Sequence, residues 1–277
     1  MHSGKTLVIL GMHRSGTSLI TQWLHKCGLY VGDKLLGAGV GNTDGHYEDE
    51  EFLAIHEKIL LANGFSNTGL ACLEAVGVPE PFEGQLKTCI QRRVSLAVDW
   101  GWKDPRTCLF LPTYRRLVPD AKYLVIVRSF KEVVSSLLKR DLIIKEREWL
   151  QQHTRKIDHF KWKLYKKRKA TRAYIREMAQ TYLKIHICYN QKLKEHLEQL
   201  DKEQYLVVDY KKLLKVDRNC YEHFQHNWHF HLHYVPFSSI FKERLISDQF
   251  DLEQVLPQAL QQEAVLLEEA LTANKPF

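Results

Sequence analysis

A chain of 277 residues with 44% hydrophobic and 26% charged residues has the apolar mass for one sizeable α/β domain or two small ones, and this argues against disorder. Its net charge of +7 suits an anionic ligand, an acidic polymer or a membrane surface without choosing among them. No run approaches the ~18 apolar residues of a membrane helix.

Residues 6–10 form a continuously apolar, β-rich run that reads as a strand buried on both faces. The run is short and ends in a glycine loop with no cleavage site, so no signal peptide is expected. The chain is expected to start directly on this strand, in a cytoplasmic protein of bacterial style. Residues 11–16 are loop. Residues 17–27 then place Leu19, Ile20, Trp23, Leu24 and Cys27 on one helical face, with Gly28 as its stop. Residues 37–45 are loop-like, 48–62 helical, 79–81 a proline break and 83–98 helical. A second buried strand is predicted at 122–127, a helix at 131–140 and a third strand at 205–208. Strands alternating with helices predict an α/β fold with a central, mostly parallel sheet. Residues 139–200 show no strand and form a helical, basic insertion within a single domain spanning 1–277, its most basic part at 161–176. Residues 252–271 read as an acidic amphipathic helix. Cys27, Cys72, Cys89, Cys108, Cys188 and Cys220 contain no Cys-x-x-Cys pair and are expected to be reduced core thiols.

The loop Gly11-Met12-His13-Arg14-Ser15-Gly16-Thr17-Ser18 has the glycine spacing of a phosphate loop feeding a helix N-terminus. Such a terminus exposes unpaired N–H groups and a partial positive charge. A nucleoside triphosphatase would carry lysine where this chain has Thr17, so the cation must come from elsewhere, and Arg14 is the obvious source. Arg128 ends the second strand, and Ser135 and Ser136 follow off the apolar stripe of the next helix. An arginine and a helix hydroxyl make a terminal-phosphate clamp, although only one of two adjacent serines can face it.

The loop at 11–18 resembles the 5′-phosphosulfate loop of sulfotransferases that use 3′-phosphoadenosine-5′-phosphosulfate (PAPS). Trp102-Lys103-Asp104-Pro105-Arg106 resembles the Lys-Asp-Pro segment of their bacterial and tyrosylprotein members, which together with carbohydrate sulfotransferases form the branch this chain resembles. The run 119–128 resembles the strand before their 3′-phosphate site, whose Arg and later Ser select Arg128 and Ser136 here. Leu206-Val207-Val208-Asp209-Tyr210 resembles the strand leading to the family's Tyr-Glu-Asp motif, with Lys211 and Lys212 in place of the acidic pair. The resemblance covers residues 6 to about 214 and implies a three-layer P-loop-like fold. It also implies that His13, Arg14, Ser15, Gly16, Thr17, Ser18, Arg128, Ser136 and Tyr210 bind PAPS and its product, 3′,5′-adenosine diphosphate.

In-line sulfuryl transfer needs a base and cations around the leaving phosphate. Glu48, in Gly45-His46-Tyr47-Glu48-Asp49, is the candidate base, with a helix-capping role as the plain alternative and Asp49 or His46 as other bases. Arg14 and Lys103 are the candidate cations, Asp104 an orienting group, and Arg106 and Arg244 lesser candidates. No metal is required. His226, His229, His231 and His233 invite a metal reading, but surface or loop histidines explain them better. The acceptor is expected to offer a hydroxyl, or an amine, first on a saccharide and then on a small metabolite or peptide tyrosine. Trp149, Trp162 and Tyr165 are available to stack on sugar rings or to fill the core. Two other readings stand beside this one: a P-loop kinase of a small metabolite using Mg-ATP, and a non-catalytic nucleic-acid binder using 161–176, for which no reading module is evident.

Overall fold

The structure is a computed structural model that describes residues 4–40, 42, 44–73, 76–153, 162, 167–241 and 249–273. Four strands form its sheet: β1 (Thr6–Leu10), β2 (Trp100–Lys103), β3 (Lys122–Val127) and β4 (Tyr205–Asp209). The order is β2-β1-β3-β4 and every pairing is parallel, with Val8 opposite both Trp102 and Tyr123, and Val125 opposite Val207.

The alternation of side chains along each strand builds two cores. Val8, Leu10, Trp102, Tyr123, Val125 and Val207 face one side. There they meet Phe52 of α2 (Glu50–Ala62), Leu86 of α3 (Glu80–Val94), Leu137 of α5 (Phe130–Gln152), Leu183 of α6 (Lys167–Leu197) and Ala264 of α8 (Gln258–Thr272). Leu7, Ile9, Leu124, Ile126, Leu206 and Val208 face the other, against Ile20 and Trp23 of α1 (Thr17–Lys26) and Phe224 of α7 (Leu213–His226). A short helix, α4 (Leu111–Leu117), precedes β3. Helices therefore cover both faces of the sheet, in the three-layer arrangement expected.

Strand β2 is an element the sequence pattern does not announce. It is four residues long and contains Gly101, which reads as a breaker. A Cβ at Gly101 would fall 2.2 Å from the Leu7 carbonyl oxygen, so the close approach of β1 demands glycine there. The proline break at 79–81 is the start of α3 instead: Pro79 caps the helix and Pro81 lies in its first turn, where a missing N–H costs nothing. Helix α5 runs to Gln152, well past the predicted end, and both Ser135 and Ser136 are buried. Ser135 leaves the clamp to its neighbour, because its Oγ accepts the Phe250 N–H at 3.1 Å. The C-terminal helix begins after Pro257, later than expected.

The cysteines depart from the expectation of six thiols. Cys72 and Cys188 form a disulfide that ties the segment after α2 to α6, while Cys27, Cys89, Cys108 and Cys220 are free and buried. The candidate metal histidines lie on no strand. His229, His231 and His233 are exposed, between buried Phe230 and Leu232, on a segment outside the sheet. Among the described residues no group of three or more His, Cys, Asp or Glu side chains is disposed to hold a metal ion. Within them, too, no helix is long and apolar enough to cross a membrane. Trp149 stacks on Trp162 with centroids 4.5 Å apart, whereas Tyr165 and Arg244 lie outside the described residues.

Candidate active site

Because all four strands are parallel, their carboxyl ends share one edge, the edge at which open α/β sheets bind ligands. The loop at 11–16 leaves β1, Lys103 ends β2, Arg128 follows β3 and Tyr210 follows β4. With the segment before α2 and the first turns of α5, they enclose a cavity of about 460 Å³.

The Ser15 N–H and Oγ both donate to the Met12 carbonyl, at 3.1 and 2.7 Å, closing the loop before α1. Arg14 has φ 68°, a conformation that costs a non-glycine residue energy and clusters at functional sites. Gly16 has φ 96°, and a Cβ there would sit 2.3 Å from the Tyr210 ring. Gly16, Thr17 and Ser18 line the cavity at the start of α1, where first-turn N–H groups lack helical partners.

Beside that helix start, the Lys103 ammonium donates to Glu48 Oε1 at 2.8 Å and to Ser18 Oγ at 3.1 Å. Both charged side chains are buried. Glu48 does not cap α2. That role falls to Asp49, which accepts the Glu51 N–H at 2.9 Å and pairs with Arg93 at 2.6 Å, leaving Glu48 aimed into the cavity. Asp104 does not touch Lys103 through any hydrogen bond. It holds the following turn instead, accepting from the Arg106 N–H and guanidinium and bonding His56 Nδ1 at 2.8 Å. Arg106 reaches Glu48 Oε2 at 3.8 Å.

The other end of the cavity is built around Arg128. Its guanidinium donates to the Arg14 carbonyl at 3.0 Å, lies 4.5 Å from the Tyr210 ring centre and pairs with Glu132 at 3.4 Å. Arg14 Nε donates to Ser136 Oγ at 2.9 Å. Arg14 thus reaches towards the Arg128–Ser136 pair, and Lys103 is the cation that stands beside the glycine loop's helix.

No protein-family model matches the chain. Over 38 residues, 14% of this chain and 15% of the other protein's length, it is 50% identical to a putative protein-tyrosine sulfotransferase of Caenorhabditis elegans. The sulfotransferase domain of the Synechococcus PCC 7002 olefin synthase superposes over 98% of this chain and 96% of its own, with a TM-score of 0.51 at 15% identity. A sulfotransferase from Alicyclobacillus acidocaldarius superposes over 99% and 97%, with a TM-score of 0.52 at 17% identity. The chain has the sulfotransferase fold.

In this instance of the sulfotransferase fold the cavity is strongly cationic. Arg14, Lys103, Arg128, Lys139 and Arg140 line it, against the single carboxylate of Glu48 among the described residues. Burial, then Arg106, pushes His13 down to about 3, and burial, then Lys103 and Arg14, pushes His46 down to about 4. Both imidazoles are neutral at pH 7, and His46 is a weaker base than an ordinary histidine. Burial, then Arg140 and Arg128, lowers Arg14 to about 10. Burial raises Glu48 above the ordinary carboxylate range although Lys103 pulls it back. Three residues of the site escape the motif search. Lys139 and Arg140 sit one turn beyond Ser136 and line the same cavity, and Glu132 is placed to pair with Arg128 four residues earlier. Helical spacing from Ser136 points to the first two.

Proposed function

We propose that this protein is an enzyme that transfers a sulfuryl group from PAPS to a hydroxyl acceptor. The carrying observation is a single cavity with two anion-binding ends: the glycine loop with Lys103 and Ser18 at one, and Arg128 with Ser136 and Arg14 at the other. A nucleotide with phosphate groups at both its 3′ and 5′ positions needs two such ends, whereas the triphosphate of ATP needs one. The fit has a second support. The buried Nε of Arg128 and Nε2 of His13 have no hydrogen-bond partner among the described residues, and ligand oxygens or hydroxyls would satisfy them.

When bound, PAPS supplies an activated sulfuryl group on a phosphate leaving group. The loop N–H groups, Ser15 to Ser18, would hold its 5′-phosphate, and Arg128 and Ser136 its 3′-phosphate, with Arg14 bridging the two ends. Tyr210 packs the loop against Arg128. Lys103, held between Ser18 and Glu48, would stabilise the charge that develops on the leaving phosphate. Glu48, raised by burial, takes the proton of the acceptor hydroxyl at Oε1 or Oε2, and Lys103 holds its carboxylate in place. These groups provide the needed charge without a metal ion.

The test is a comparison of melting temperatures with 3′,5′-adenosine diphosphate and with Mg-ATP, together with transfer of label from [³⁵S]PAPS. Stabilisation by the bisphosphate without magnesium is expected, and Arg128→Ala should lose it through about 1.5–3 kcal/mol of charge-assisted hydrogen bonding. Preferential stabilisation by Mg-ATP would turn the reading towards a kinase.

A further inference from the structure

A second cavity, about 390 Å³, lies between α5 and α6 and adjoins the first, sharing Lys139 and Ile143 with it. Its character is different. Leu142, Ile143, Ala170, Tyr174 and Phe250 give it apolar and aromatic walls. Its charged groups among the described residues are three lysines and one glutamate: Lys139, Lys145, Lys167 and Glu146. The Lys145 ammonium stands 4.9 Å over the Tyr174 ring and Lys139 stands 5.5 Å over Phe250, while Lys167 pairs with Glu146 at 2.7 Å. Among the described residues the cavity therefore has a net positive rim over an apolar floor.

The route between the cavities runs along one helix face. Ser136, Lys139 and Ile143 lie one turn apart on α5, the first two within the nucleotide-type cavity and the last two in both. Arg140, beside them, also lines the first cavity, so the two cavities meet along this face of α5.

We propose that the second cavity seats the body of the acceptor, and that this acceptor is an apolar hydroxylated molecule carrying an anionic group. Its apolar part displaces water from the walls, its anion meets the lysine rim, and its hydroxyl enters the first cavity. The proposal rests on the reading of the first cavity as a PAPS site. In the transfer, an acceptor O–S bond forms as the S–O bond to the leaving phosphate breaks. The hydroxyl proton passes to Glu48 and the bond's electron pair to the phosphate oxygen. The saccharide expected from the sequence fits these walls poorly, because its hydroxyls would lie unpaired against Leu142, Ile143 and Phe250.

The test uses the full chain with [³⁵S]PAPS and three acceptors: 10-hydroxydecanoate, 1-decanol and N-acetylglucosamine. Decanoate serves as a binding probe in thermal melts. The expected result is transfer to 10-hydroxydecanoate with a KM at least about tenfold below that for decanol, as one charge-assisted contact gives. Ala170→Trp should abolish the decanoate shift while the shift with 3′,5′-adenosine diphosphate stays intact. Lys145→Glu, on the exposed rim, should erase the preference for the anionic acceptor and covers the case in which Ala170→Trp fails to fold. Faster transfer to the sugar, or a decanoate shift that is absent in the wild type or survives both substitutions, overturns the proposal. Loss of the bisphosphate shift in Ala170→Trp overturns it too and assigns the cavity to the nucleotide. A wild type without any bisphosphate shift refutes the reading of the first cavity instead.

Discussion

The contact between Gly16 and Tyr210 lets one methyl group probe the whole of the proposed cofactor end. Gly16→Ala meets two penalties. The backbone at φ 96° costs an L-residue about 1–2 kcal/mol. The new Cβ would also lie 2.3 Å from the Tyr210 ring, so the ring must move, and it is the ring on which the Arg128 guanidinium sits at 4.5 Å. Losing that stacking removes about 0.5–2 kcal/mol more. The sum, about 1.5–4 kcal/mol, should lower the melting temperature by roughly 3–16 °C for a chain of this size. The assay is a melt with and without 3′,5′-adenosine diphosphate, and the ligand shift should disappear because the Arg128 clamp is displaced. A double-mutant cycle sharpens the result. On a Tyr210→Ala background only the backbone penalty remains, so the second substitution should cost about half as much. Strictly additive losses, or a Gly16→Ala protein that melts and binds like the wild type, would refute the packing argument.

Glu48→Gln should leave the bisphosphate shift unchanged and lower kcat by ~10²–10⁴-fold, read from label transfer. The same carboxylate sets a pH limb. Since burial raises it and the deprotonated form is active, kcat should fall as pH drops, with a midpoint above the ordinary carboxylate range, and this limb should vanish in whatever activity Glu48→Gln retains. His13 gives a stability effect of known sign. Its folded value, about 3, lies below the ordinary 6.5, so the unfolded chain binds the proton more readily. Stability from this group is complete above pH 6.5 and declines as pH falls towards 3, and melts of His13→Asn should show a smaller acid-side loss than the wild type. Replacing Cys72 and Cys188 by serine opens a loop closed across 116 residues and should cost about 2–5 kcal/mol in urea melts.

The residues that line the candidate site were more legible in the sequence than the scaffold that holds them. Strands β1 and β3 are runs of apolar residues buried on both faces, and β4 is nearly so, a pattern visible without tertiary knowledge. Strand β2 is not, because Trp100-Gly101-Trp102-Lys103 owes its conformation to the neighbour that forbids a Cβ at Gly101. Both serines of α5 lie off the helix's own apolar stripe, yet both are buried, with hydrogen bonds from Arg14 and Phe250. The disulfide escaped for a similar reason: its cysteines are far apart in sequence and only the packing of α6 brings them together. The division of labour between Glu48 and Asp49 is another tertiary fact, settled by Arg93 reaching Asp49 from α3.

That anchoring of Asp49 has a use in protein engineering. The N-cap bond and the Arg93 pair pin the chain immediately after Glu48, while Val40 and Asn42, upstream of it, line the cavity. The lip of the cavity can therefore be randomised as a cassette while Glu48, the proposed base, stays on a fixed mount. Selection for new acceptors can begin there, with the chemistry held constant.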